Sequence, residues 1–199
     1  MMNMEHLETI EYRGYKITVD YDEFGDSPRE WDNVGVIYDA LRNYRFDGHS
    51  IDEWNEMESH EDYIYMPFYA YIHGGITIST GSFNDPWDSG CAGVIAIERD
   101  RAIEEWGEDY EDKAIACMEG EIKTMDMFLT GDVYTLSIVD PDGCCIDSCS
   151  GWYGNDGKEE GIIEEKHVID FEISKICKKG CEELAVPQII EDTIPYLCL

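Results

Sequence analysis

Residues 63–80 read YIYMPFYAYIHGGITIST, two apolar runs hinged on His73-Gly74-Gly75. Tyr63, Tyr65, Pro67, Tyr69 and Tyr71 alternate with Ile64, Met66, Phe68, Ala70 and Ile72. A period of two marks a strand, and the glycine pair supplies the turn that returns the chain through Ile76–Thr80. Both sets of side chains are apolar or aromatic, which predicts a central strand covered on each face. Pro67 has no N–H for the ladder, so an edge or a bulge is expected there.

The flanking segments extend this sheet. Leu7–Tyr12 and Tyr15–Tyr21 are β-rich runs around Arg13-Gly14, and Val34–Tyr38 and Cys91–Ile97 are further strands. Val133–Val139 and Cys144–Cys149 form a hairpin on the turn Asp140-Pro141-Asp142-Gly143. Helices are expected at Ile51–Glu61 with Ser50 as N-cap, around Ala102, Ile103 and Trp106, and through Ile115, Met118, Ile122, Met125 and Leu129. From Ile162 a helix would align Ile169, Ile173, Ile176 and Leu184, although Ile169, Phe171 and Ile173 equally suit a strand. The expected fold is α+β: one domain, an antiparallel sheet with two to four helices packed against it. Residues 1–156 form its core and residues 157–199 a C-terminal helical extension packed on that core.

Charge constrains function more than any motif does. The 199 residues carry 45 acidic and 14 basic side chains, a net charge of −31. A folded chain of this length is roughly 40 Å across, from a radius of gyration of about 16 Å. Duplex DNA of that length carries about 25 phosphate charges. Disorder is excluded, since 43% of residues are hydrophobic and 12% aromatic. Direct binding to nucleic acid or to an anionic membrane is disfavoured by the same surplus. A basic partner, divalent cations or plain solubility remain. Met1–Gly14 holds no basic stretch leading into an apolar core, and no apolar run approaches the ~20 residues of a membrane span. A soluble protein of the host cytoplasm is therefore expected.

The acidic side chains gather between residues 104 and 126. Glu104, Glu105, Glu108, Asp109 and Glu111 crowd one short stretch, and Asp112, Glu119 and Asp126 recur every seven residues, on one helical ridge. Such a run suits the Arg and Lys side chains that otherwise hold phosphates; it also suits a solvated helix face. A second group, Trp31-Asp32-Asn33 with His73 and Trp87-Asp88-Ser89, could line a pocket, or its side chains could lock two loops and cap backbone amides.

Metal and nucleophile motifs fail on inspection. Asp20–Trp31 has a glycine where a calcium loop needs one but ends on Trp31, where the bidentate Glu belongs. The eight cysteines form no paired C-x-x-C knuckles; reduced thiols are expected, with Cys91 and Cys117 as small core residues. Ser89 lacks a G-x-S-x-G elbow, and the five histidines show no H-E-x-x-H. No metal, no cofactor and no catalytic residue is assigned.

Four segments resemble a family of acidic, uncharacterised proteins carried by bacteriophages and plasmids. They are Ser27–Gly35 (SPREWDNVG), Tyr71–Gly93 (YIHGGITISTGSFNDPWDSGCAG), Phe128–Ile138 (FLTGDVYTLSI) and Ser148–Asp156 (SCSGWYGND). The two Trp-Asp segments are the most specific, and the pattern ends before Gly157. The resemblance implies a setting rather than an activity: acidic proteins on such elements are often anti-restriction or anti-CRISPR factors that imitate nucleic acid. The expected function is thus inhibition of a host defence nuclease, or of another basic nucleic-acid-binding protein, without catalysis. The alternatives are a small hydrolase with a site around His73 and Asp88/Ser89, and an interaction module whose acidity only solubilises it.

Overall fold

The computed structural model describes residues 6–184, with side chains as far as Ile176. The chain opens on a hairpin, β1 (Glu8–Tyr12) and β2 (Tyr15–Tyr21). A 3-10 turn at Pro28–Glu30 leads to β3 (Val36–Asp39), β4 (His49–Ser50) and α1 (Ile51–Asn55). Next come β5 (Tyr63–Ile72), β6 (Ile76–Ser79) and β7 (Ser89–Glu98). α2 (Arg99–Trp106), a 3-10 turn at Gly107–Asp109 and α3 (Tyr110–Thr130) follow. β8 (Val133–Val139), β9 (Cys145–Tyr153) and α4 (Gly154–Leu184) complete the described chain.

The fold is α+β, with its strands in two sheets instead of one. β1-β2-β8-β9 make a four-stranded sheet and β4-β3-β7-β5-β6 a five-stranded one. All pairings are antiparallel except the two-residue contact of β3 with β4. α3 covers the five-stranded sheet: Ala114, Met118, Ile122 and Met125 are buried against Ile64, Phe68, Ile78, Ile95 and Ile97. Each large aliphatic side chain so buried contributes about 1.5–3 kcal/mol. Ile115 stays 40% exposed because Ala114, one residue earlier, takes the inward position.

The opposite face of β5 is covered only near its start. Trp54 of α1 packs on Tyr63 and Tyr65, with His60 stacked on its indole. Beyond that contact Tyr65 is half exposed and Pro67 exposed, so the expected cover on both faces is absent. β6 pairs only with Tyr69–Ile72, which leaves Pro67 on an open edge, and a register shift follows between Phe68 and Tyr69. α1 keeps its capping box of Ser50 and Glu53 but stops at Asn55, six residues short of the expected Glu61. Past Trp54 only Met57 could continue an apolar stripe.

α4 begins at Gly154, so the boundary drawn after residue 156 falls within its first turn. Helical spacing governs here: Ile169 is fully buried while Phe171 is 60% exposed. Ile169 joins Ile17, Val19, Leu136 and Ile138 in the core of the four-stranded sheet. Gly161 lets the helix settle on Trp152, since a Cβ there would lie 2.7 Å from the indole ring. Leu184, Cys177, Cys181 and Cys198 have side chains outside the described residues.

Glu165 of α4 is buried, and its Oε2 has no hydrogen-bond partner among the described residues. Burial, reinforced by the charge of Asp147, pushes its pKa up from 4.5 to about 6. The folded state therefore keeps a proton that the unfolded chain releases between those two values. Stability is greatest below the lower value, falls through the window and stays reduced above it. Glu165→Gln is expected to raise stability at pH 8 by about 1–2 kcal/mol and to leave it unchanged near pH 4. Urea denaturation at the two pH values checks this; an equal effect at both would contradict it.

Candidate functional site

The carboxylates between residues 104 and 126 divide in two. Glu104, Glu105, Glu108, Asp109, Glu111, Asp112 and Glu119 are all exposed along α2, the turn after it and α3. Ala102 and Ala114 face inward on the same segments, and this amphipathic spacing turns the carboxylates to solvent. Glu111 pairs with Arg99 at 2.8 Å, and this hydrogen bond holds its carboxyl below the ordinary range. The other six make no salt bridge among the described residues.

Asp126 does not share this exposed ridge. It is half-buried, and its Oδ1 accepts from the N–H of Ile78 at 2.7 Å and from Thr77 Oγ at 3.0 Å. β6 is an edge strand, so Asp126 occupies a backbone donor that would otherwise be open to another strand. Its neighbours Glu119, Ile122, Lys123 and Phe83 line a cavity of about 560 Å³ there.

The fold adds residues that sequence spacing does not bring near. Arg99 accepts the chain of residues 61 and 62: its N–H donates to the Asp62 carbonyl and its Nε to the Glu61 carbonyl, both at 2.8 Å. Its Nη1 reaches Glu111. Exposed Glu61 and Asp62 are thereby set beside the start of α2, where exposed Glu98 and Asp100 also lengthen the acidic band. Carboxylates are exposed elsewhere too, at Asp52, Glu53, Glu56 and Glu58 and at Glu159, Glu160 and Glu164 of α4.

The second predicted group comes together only in part: His73 meets Asp88, while the Trp31 segment stands apart. Trp31 is half exposed and meets Tyr153 edge-on, with centroids 5.3 Å apart. Asn33 donates to the carbonyls of Pro28 and Trp31, and Arg101 donates to the Asn33 carbonyl. Asp32 is fully exposed, 3.9 Å from Arg101. Among the described residues no hydrogen bond, ion pair or ring contact joins these three to the loop that holds Trp87-Asp88-Ser89.

That loop has its own order. Asp85 Oδ1 accepts from the N–H of Trp87 at 2.8 Å and of Asp88 at 2.9 Å. These bonds to the Asp88 and Trp87 amides, with the nearby His73 ring, hold the Asp85 carboxyl below its ordinary pKa. Ser89 Oγ donates to the Asp85 carbonyl. His73 Nδ1 meets Asp88 Oδ2 at 2.8 Å, and no hydrogen bond joins His73 to Ser89 among the described residues. Trp87 itself is 91% exposed.

The strongest polar cluster joins residues that no motif or spacing connects. Arg29, its side chain 4% exposed, lies in the SPREWDN segment. It grips Asp47 through Nε and Nη2 at 2.6 Å each, Glu121 through Nη1 at 2.7 Å, and the Gly35 carbonyl. Burial opposes its charge, but the two carboxylates outweigh that and raise its pKa. Glu121 also accepts from the N–H groups of Val34 and Gly35, and Asp47 from that of Ile37. Every partner is internal, so the cluster fixes the fold and leaves nothing for a ligand. Its neighbour Cys117 has its thiol pushed up to about 11 by burial and Glu121, which keeps it a thiol at neutral pH. Cys91, expected in the core, is exposed, as are Cys144, Cys145 and Cys149, and none of them forms a disulfide among the described residues.

Among the described residues no helix is long and apolar enough to cross a membrane, and no three His, Cys, Asp or Glu side chains gather as metal ligands. No protein-family model, curated protein or solved structure matches this chain.

Proposed function

We propose that this protein is a non-catalytic acidic inhibitor that occupies the basic groove of a nucleic-acid-binding protein, a host defence nuclease of the restriction or CRISPR type. The observation that carries the proposal is the band of seven exposed carboxylates from Glu104 to Glu119, on α2, the turn after it and α3, six of them without a basic partner among the described residues. The band stands on helices anchored in the core, so its carboxylates are held in place before binding. Arg and Lys side chains that normally grip phosphates would form charge-assisted bonds to it. The net charge of −31 would steer the approach. The resemblance of SPREWDN and PWDSG to phage and plasmid proteins supports a setting in the host cytoplasm.

Capture from host lysate followed by competition with short duplex DNA tests the proposal. The captured protein is expected to be displaced by DNA, and replacement of Glu104, Glu105, Glu108 and Asp112 by Lys is expected to abolish capture. A captured protein that DNA leaves in place would contradict nucleic-acid imitation.

A second reading rests on the 2.8 Å contact of His73 with Asp88, which could serve as an acid–base pair in a hydrolase. Under it, replacing Asp88 and Ser89 by Ala abolishes function while the four charge reversals leave it intact.

A further inference from the structure

The indole of Trp87 stands in solvent on an ordered loop. A ring left 91% in water forgoes most of the gain from burial, yet the loop beneath it is held firmly. Asp85 receives the N–H groups of Trp87 and Asp88, Ser89 returns a bond to the Asp85 carbonyl, and Asp88 is tied to His73. Beside the ring, Leu41, Ala70, Ile72 and Gly90 line a depression of about 280 Å³. A rigid loop presenting an aromatic anchor loses little entropy on binding, and Trp is among the residues that dominate interface energetics.

Charge selects what covers it. Asp85 and Asp88 stand two residues before and one residue after Trp87, with Asp85 bonded to the Trp87 amide, and the chain as a whole carries −31. An anionic membrane surface is repelled by that charge, and so is a second copy of the same chain. A guanidinium is attracted twice, by the carboxylates and by the face of the indole, on which its plane can stack.

We infer that Trp87, with Asp85 and Asp88, is an anchoring point for an arginine side chain of the cationic partner. This rests on the proposed function and adds to it a contact that is not purely ionic. The test uses hexa-arginine peptide as probe, titrated into the full chain labelled with nitrogen-15 at its five Trp residues. The Trp87 indole N–H resonance is expected to shift and saturate with the peptide. Trp87→Ala is expected to weaken binding about fivefold or more, with Trp87→Phe between the two, and hexalysine is expected to bind less tightly. If Trp87→Ala binds as wild type does while the charge reversals at 104, 105, 108 and 112 remove binding, the anchor is wrong and the proposed function stands. If no peptide binds at about 50 mM salt, both fall. Hexalysine matching hexa-arginine would overturn the guanidinium assignment.

Discussion

Replacing Arg29 by Met is expected to cost the fold about 3–5 kcal/mol, a large part of the stability of a single domain. The substitution keeps much of the side-chain volume but leaves Asp47 and Glu121, 13% and 11% exposed, with no counter-charge between them. Those carboxylates also hold the N–H groups of Val34, Gly35 and Ile37, so their displacement loosens the entry into β3. Arg29→Lys is expected to recover only part of the loss, because an ammonium cannot meet Asp47 with two parallel bonds and reach Glu121 as well. Asp47→Asn combined with Glu121→Gln in the Arg29→Met background should restore stability by removing the stranded charges. Urea denaturation followed by circular dichroism reads all three. A loss below about 1 kcal/mol for Arg29→Met would mean that the cluster is solvated and incidental.

Gly93→Ala is expected to be comparably severe. Gly93 has φ +151, and a Cβ there would lie 2.2 Å from the Tyr38 carbonyl oxygen and 2.8 Å from the Phe68 ring. Neither neighbour can yield: Tyr38 pairs through β3 with β7, and Phe68 is fully buried. Overpacking costs about 1–3 kcal/mol and backbone strain about 1–3 more. Gly90→Ala, three residues earlier in the same strand, is the control. Nothing lies within 4 Å of its added Cβ, so a near-neutral effect is expected. Melting temperatures of the two variants separate the steric explanation from a general dislike of side chains in β7; equal losses would refute it.

Much of the architecture was legible because it follows from periodicity. The alternation through residues 63–72, the spacing of Met118, Ile122 and Met125, and the turn at Arg13-Gly14 all returned as the expected elements. The division into two sheets was not legible, because β1-β2 finds its partner β8 more than a hundred residues later and no local signal encodes that pairing. Of the acidic stretch, exposure followed from helical spacing, whereas Asp126 was misplaced. Its seven-residue interval keeps it within about 20° of Glu119 around the helix, but the edge strand β6 reaches only Asp126 and takes its carboxylate, a long-range contact that spacing does not encode. Arg29 was hidden for a different reason. Its partners lie 18 and 92 residues away, and an arginine in an acidic chain looks like an ordinary surface charge. The Trp31 and Trp87 segments looked alike in sequence, yet one rests on Tyr153 and the other stands in solvent, a difference that only the fold around them creates.

The salt dependence of complex formation weighs most directly on the idea that cationic side chains seek this protein's acidic helices. Affinity for the captured partner should be measured by calorimetry from about 50 mM to about 500 mM salt, for wild type and for the variant with Lys at 104, 105, 108 and 112. A steep, linear fall of log affinity with log salt for wild type, and no measurable binding by the variant, is the predicted result. Affinity that holds across that range, or survives the four reversals, would show that the carboxylates merely keep the protein dissolved.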